Sequence, residues 1–258
     1  MSERLHRLDI FRGITLISMI LYHFVWDLNY IASIKMSWYR GTIGTIWQKS
    51  ICISFIFISG FCFKLGKKHF KRSMTVFLSG ILVSAATLIF MPDNRIVFGI
   101  LTFAGTAGII AIPFNKLMSR LHDRLDDFTV DLTMLIWNLL MFIAFYNVNN
   151  GIINLIYKKI TLPAYVFDGY FMTFMGFPDP YFFSTDYFSL IPWIFLYFTG
   201  YFAYNMVGNT DKVRKYLIKT SKSVMASGVE YLGKNTLIAY LIHQPILYLV
   251  TLIIMEVR

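Results

Sequence analysis

The chain has 258 residues, of which 57% are hydrophobic and only 15% charged, with a mean hydropathy of +0.59. An average soluble domain is about a quarter charged, so this composition excludes an ordinary cytosolic enzyme, a disordered chain and a disulfide scaffold. Lys and Arg number 24 against 14 Asp and Glu, a net charge of +10. On so apolar a background that excess reads as the positive-inside bias of a membrane protein rather than as a nucleic-acid surface.

A membrane-spanning helix needs about 20 mostly apolar residues. The pattern predicts an all-α, polytopic transmembrane bundle with spans near Ile10–Leu28, Thr45–Leu65, Ser73–Met91, Ile96–Phe114, Phe128–Val148, Tyr187–Val207 and Thr236–Met255. An eighth segment, Pro163–Phe177, is aromatic but short and carries Asp168; it reads as a re-entrant turn or a surface helix, with eight crossings as the alternative. With seven crossings and a cytoplasmic N-terminus, 17 of the 24 basic residues fall inside, among them Arg4, Arg7, Arg12, the Lys64–Arg72 run and the loop with Lys212, Arg214, Lys215, Lys219, Lys222 and Lys234. Lys35, Arg40, Lys49, Arg95, Lys158, Lys159 and Arg258 fall outside. An eighth crossing would move the six-charge loop outside, so seven crossings are favoured. The start is expected to be a retained helix, because Arg12, His23 and Asp27 interrupt its apolar run and no small-x-small cleavage site follows. Cys52 and Cys62 share one span, about 80° and roughly 15 Å apart on a helix, too far to bridge.

Ionisable residues inside a span cost about 2.5–3.5 kcal/mol at the helix centre on insertion scales and are functional hypotheses. The first span holds three. Arg12 and His23 are eleven positions apart, which at 100° per residue returns them to within about 20° on one face, separated by roughly 16 Å. Asp27, four residues beyond His23, shares that face. A carboxylate one turn from an imidazole can fix its tautomer and make it a better base, and an arginine suits a phosphate. The competing reading has Arg12 reaching the headgroups, Asp27 at the interface and His23 bonded to a neighbouring helix.

The last span contains Leu241-Ile242-His243-Gln244-Pro245. Pro245 frees the carbonyl of Leu241, so a local irregularity is expected. His243 and His23 fall within about 8 Å in depth, counting 1.5 Å per residue, so they either face one cavity or His243 serves a kink. The sixth span opens Ser184-Thr185-Asp186, which are good N-cap types. The alternative puts Asp186 and Trp193, with Trp26, against a sugar. Gly99, Gly105 and Gly108 suit close helix packing. His6, His69 and His122 fall in basic or loop segments with no specific role assigned. No Walker loop, glycine-rich dinucleotide pattern, nucleophile elbow or His/Cys metal spacing occurs, so no metal is expected.

Taken together, Arg7-Leu8-Asp9-Ile10-Phe11-Arg12-Gly13 followed by Tyr22-His23-Phe24-Val25-Trp26-Asp27-Leu28 resembles the opening of bacterial membrane proteins related to the heparan-α-glucosaminide N-acetyltransferase catalytic domain. The Arg-x10-His spacing is also similar to that of the wider membrane acyltransferases that acetylate surface polysaccharides. Phe57-Ile58-Ser59-Gly60, Phe98-Gly99-Ile100-Leu101, Asp186-Tyr187-Phe188-Ser189-Leu190-Ile191-Pro192-Trp193 and Leu232-Gly233-Lys234-Asn235-Thr236-Leu237 leading into His243-Gln244-Pro245 fit in the same order. There are departures: Thr102 stands where relatives often have His, and Lys35-Met36 precede Ser37-Trp38, where the animal lysosomal enzyme has its active histidine.

The resemblance implies one transmembrane acyltransferase domain over 1–258 that moves acetyl from cytoplasmic acetyl-CoA to a hydroxyl or amine of an extracytoplasmic amino sugar, polysaccharide or glycolipid. The expected site has His23, Asp27 and His243 as catalytic residues, Arg12 and Gln244 against the acyl-CoA, and Asp186, Trp193 and Trp26 against the acceptor. His23 is expected as general base or as the acetyl carrier of a two-step route. The location expected is a cell inner (plasma) membrane, in contact with lipid, with oligomeric state left open. The alternative class is a proton-coupled transporter or flippase without acetyl-CoA chemistry, and a third is a structural membrane subunit.

Overall fold

The computed structural model describes residues 4–155, 157–208, 210–220 and 223–257; Lys222 and Arg258, both counted above for orientation, lie outside the described residues. In chain order the helices are α1 (His6–Tyr30), α2 (Ser37–Arg40), α3 (Thr42–Phe61), α4 (His69–Phe90), α5 (Ile100–His122), α6 (Asp127–Phe145), α7 (Gly169–Met175), α8 (Leu190–Ala203), α9 (Asp211–Ile218), α10 (Val224–Lys234) and α11 (Thr236–Val257). Strands β1 (Ile152–Asn154) and β2 (Lys159–Thr161) form one antiparallel hairpin between α6 and α7. Among the described residues seven helices are long and apolar enough to cross a membrane: α1, α3, α4, α5, α6 with its continuation to Asn150, α8 with its continuation to Gly208, and α11. The protein is an all-α, multi-pass membrane protein. The aromatic segment at 163–177 folds as α7, whose seven residues extend only about 10 Å, so it does not cross.

The element boundaries follow local chemistry. Asp126 caps α6 by accepting from the Thr129 amide at 2.8 Å. The fourth span begins at Ile100 rather than Ile96 because residues 94–100 are tied to 184–188. The Val97 amide donates to the Ser184 hydroxyl at 2.9 Å, the Thr185 amide to the Arg95 carbonyl at 3.1 Å, and the Phe188 amide to the Phe98 carbonyl at 2.8 Å. Ser184 to Asp186 therefore cap and brace the start of α5, not their own helix, and α8 starts later than Tyr187 for the same reason. α5 continues past Pro113 to His122, and α11 continues through Pro245; the irregularity expected at Pro245 does not interrupt the helix.

The chain divides into two units, Met1–Phe55 with Thr210–Arg258, and Ile56–Asn209. In the first, α1 packs against α10 and α11. Glycines permit the α1–α10 approach: a Cβ on Gly13 would lie 2.0 Å from the Val229 carbonyl oxygen, and one on Gly233 1.8 Å from that of Asp9. Leu16, Met19 and Ile51 form its buried core, with Tyr22, Trp47, Leu232 and Tyr240 packed on them. In the second, α4 lies on α5 and α6 on α8. A Cβ on Gly105 would lie 2.5 Å from the Phe77 backbone, and one on Gly108 2.3 Å from the Ser73 hydroxyl, so these two glycines do serve helix packing. Thr102 sits in the same α4–α5 crossing, where a Cβ on Gly80 would meet its amide nitrogen at 2.5 Å. Phe114, Phe198, Tyr201 and Phe202 fill the interior with edge and tilted ring contacts.

Candidate functional site

Four of the polar residues singled out in the sequence come together in the first unit. α1 supplies His23 and Asp27, and α11 supplies His243 and Gln244. The two imidazole rings lie 5.1 Å apart between centroids. Gln244 Nε2 donates to Asp27 Oδ1 at 3.0 Å, and Asp27 has no exposed surface. Asp27 is thus held from across the helix pair by Gln244.

The tautomer of His243 follows from its partner. Its Nδ1 meets the carbonyl of Tyr240, and a carbonyl only accepts, so Nδ1 carries the hydrogen and, in the neutral ring, Nε2 keeps a lone pair. That Nε2, Asp27 Oδ2 and Gln244 Oε1 are all buried without a hydrogen-bond partner among the described residues. Buried polar groups are normally satisfied; three open acceptors beside a pair of histidines make a site that takes hydrogen-bond donors.

Arg12 stands nearer the start of α1 and pairs with Asp9, three residues earlier, on the same helix face. Arg4 Nε donates to the other Asp9 oxygen at 2.8 Å. The cluster of two guanidiniums on one buried carboxylate is net positive and can still attract an anion, while Arg12 Nε is buried with no partner of its own. Asp9 is the carboxylate partner of Arg12 that reasoning from single charges missed; its i, i+3 spacing to Arg12 was the available signal. Beside it, Glu230 of α10 accepts from Lys234 at 2.5 Å and binds His6 Nδ1 at 2.7 Å. These two partners, Lys234 first, hold the Glu230 carboxyl below its ordinary range. His6, which carried no assignment, is therefore part of a hydrogen-bonded tie between α1 and α10.

Trp26 is half-buried, with its ring 5.1 Å from Tyr30. Asp186 and Trp193 belong to the second unit. Asp186 Oδ2 accepts from the Ile100 amide at 3.5 Å at the start of α5, and burial pushes its carboxyl up to about 6 against that hydrogen bond. Trp193 packs against Phe142 and Phe188 at 5.5 and 5.2 Å. The second unit also holds a polar cluster that the sequence reading passed over. Asp131, buried in α6, accepts from Asn205 at 2.8 Å and lies 3.2 Å from His122 Nε2. A carboxylate four residues into a span is costly, and that was its signal. His69 is stacked on Phe63 at 4.4 Å. Among the described residues no group of three His, Cys, Asp or Glu is arranged to hold a metal ion.

The family model described as heparan-alpha-glucosaminide N-acetyltransferase, catalytic, matches residues 4–123 and 128–245. The chain belongs to this family. No curated protein and no solved structure matches it. Both matched segments contain parts of the four-residue cluster: His23 and Asp27 in the first, His243 and Gln244 at the end of the second. The heparan-α-glucosaminide N-acetyltransferase family is one of acetyltransferases, and this chain is a multi-pass membrane member of it.

Proposed function

We propose that the protein is a single-domain membrane enzyme that transfers acetyl from acetyl-CoA on the cytoplasmic side to a hydroxyl or amine of an extracytoplasmic glycan or glycolipid. The observation that carries this is the His23–His243 pair closed by the Asp27–Gln244 hydrogen bond, within a chain of this acetyltransferase family. The N-terminus is inside and the membrane is a cell inner membrane in this reading, as the basic loops suggest.

The Arg4–Asp9–Arg12 cluster supplies the positive charge that the CoA phosphates need. The acceptor N–H or O–H loses its proton to His23 while its lone pair attacks the acetyl carbonyl; the C–S bond breaks and the thiolate leaves to take up a proton. In the two-step form His23 attacks first, CoA thiol leaves, and the acetyl-imidazole passes its acetyl to the acceptor. The open lone pair on His243 Nε2 suits a proton carrier, because a neutral imidazole with its hydrogen on Nδ1 offers nothing to a thioester oxygen from Nε2. Gln244 keeps a second N–H for that oxygen. Asp27 orients the cluster through Gln244. An acceptor contact at Trp26 belongs to the same proposal.

Labelled acetyl-CoA given to the purified protein in liposomes tests it, with label followed into protein, lipid and added amino sugars. Wild type is expected to transfer label and His23→Ala to lose it by at least a hundredfold, the usual lower range for a general base. Equal labelling by His23→Ala removes His23 from the chemistry. No reaction with acetyl-CoA over a range of acceptors overturns the acetyltransferase reading and favours pH-gradient-driven transport.

A further inference from the structure

The connection after α1 is pinned rather than loose. Asn29, almost fully buried, donates to the Met36 carbonyl at 3.3 Å and accepts from Arg40 Nε at 2.9 Å, and the Arg40 guanidinium lies 4.9 Å over the Tyr30 ring. These contacts fix α2 beside the end of α1 that carries His23 and Asp27. Tyr39 of α2 is turned inward, 5.0 Å from Tyr22, the residue next to His23. Trp47 of α3 meets Tyr22 edge-on at 5.3 Å, and its indole N–H is held by the Ser18 hydroxyl at 2.9 Å. Trp38 then stacks on Trp47, 6.2 Å between centroids and 26° between planes, and remains 43% exposed. A series of ring contacts thus runs Trp38, Trp47, Tyr22, His23, His243, from the exposed Trp38 to the histidine pair.

We propose that Trp38 is the platform on which the pyranose ring of the acceptor stacks before its nucleophile reaches His23. This deepens the acetyl-transfer reading and rests on it. A pyranose carries a face of C–H bonds flanked by equatorial hydroxyls, and a flat aromatic ring stacked on a neighbour yet still 43% exposed suits such a face. Trp residues that merely anchor a span at the membrane boundary act individually through headgroup contacts. Trp38 instead takes its orientation from Trp47, which is itself fixed by Ser18. That pre-organisation lowers the ordering cost of binding. The Arg40, Asn29 and Tyr39 contacts hold the platform and do not touch the ligand.

The test is acetyl transfer by the full chain in liposomes, with methyl α-glucosaminide and methyl α-glucoside as acceptors and KM and kcat measured for acceptor and for acetyl-CoA. Trp38→Leu, apolar but not flat, is expected to raise the acceptor KM about tenfold, with the KM for acetyl-CoA unchanged. Trp38→Phe restores most of the acceptor affinity. Trp137→Leu, an exposed tryptophan on α6 outside the site, changes neither constant. Unchanged acceptor KM in Trp38→Leu, in a wild type that does transfer acetyl, makes Trp38 a membrane anchor and overturns the platform alone. An equal rise in both KM values indicates general misfolding and also counts against it. No transfer by wild type to either sugar, while label still passes from acetyl-CoA to lipid or protein, overturns the platform; no transfer to any acceptor defeats the acetyl-transfer reading with it.

Discussion

Asp186 is the residue at which two readings of one carboxylate meet. As a cap it needs only an acceptor oxygen for the Ile100 amide; as an ionised group it bears the cost of burial. Its carboxyl is raised from 3.8 to about 6, so the folded protein holds the proton more tightly than the unfolded chain. The stability linked to this group is therefore full below about pH 4 and is lost as pH rises through about 6. Asp186→Asn keeps the acceptor and removes the charge. It is expected to raise the thermal midpoint in detergent at pH 7 by about 2–4 °C per kcal/mol relieved and to flatten the decline between pH 4 and 6. A lower midpoint at pH 7 would mean that the ionised carboxylate itself is required. The same scale explains what single-residue reasoning could find near the histidines. His23, Asp27, His243 and Gln244 were visible as polar groups in apolar runs, but that Asp27 answers to Gln244 was not, because no periodicity relates positions 217 residues apart.

At the scale of elements, α1 is the carrier of the site and α10 fixes its position. The contact relies on Gly13 and Gly233, where an added Cβ would fall 2.0 and 1.8 Å from backbone oxygens. Gly233→Ala is expected to push α10 off the first turns of α1 and disturb the Asp9–Arg12 pair whose backbone it meets. The cost is that of overpacking, about 1–3 kcal/mol. Thermal unfolding should show that loss, together with a raised KM for acetyl-CoA. A variant of unchanged stability would mean the helices can separate freely. Helix existence was readable from hydropathy for all seven spans. Their ends were not, because residues 94–100 and 184–188 satisfy each other's backbone groups and shorten two spans at once.

For the whole molecule, orientation is expected from how Lys and Arg are distributed between the loops, and it is open to direct measurement. With Cys52 and Cys62 replaced by Ala, a membrane-impermeant maleimide should label Ser33→Cys, in the exposed turn after α1, in intact cells. Ser119→Cys, exposed near the end of α5, should react only after permeabilisation. The reverse pattern inverts the molecule and puts the Arg4–Asp9–Arg12 cluster on the wrong side for cytoplasmic CoA.

The sequence by itself determined the membrane class, the seven spans and the residues that are too polar for their surroundings, because bilayer thickness and the cost of burying charge act on each stretch of chain separately. The family was legible too, as ordered blocks around Arg12, His23 and His243. Tertiary structure alone decided the pairings of Gln244 with Asp27, Glu230 with His6 and Asp131 with Asn205, whereas Asp9 with Arg12 is a local i, i+3 pair. It also decided that Asp186 caps α5 and that Trp38 is backed by Trp47. Most of these contacts join positions far apart in the chain, and which partner satisfies a buried polar group is set only when helices pack.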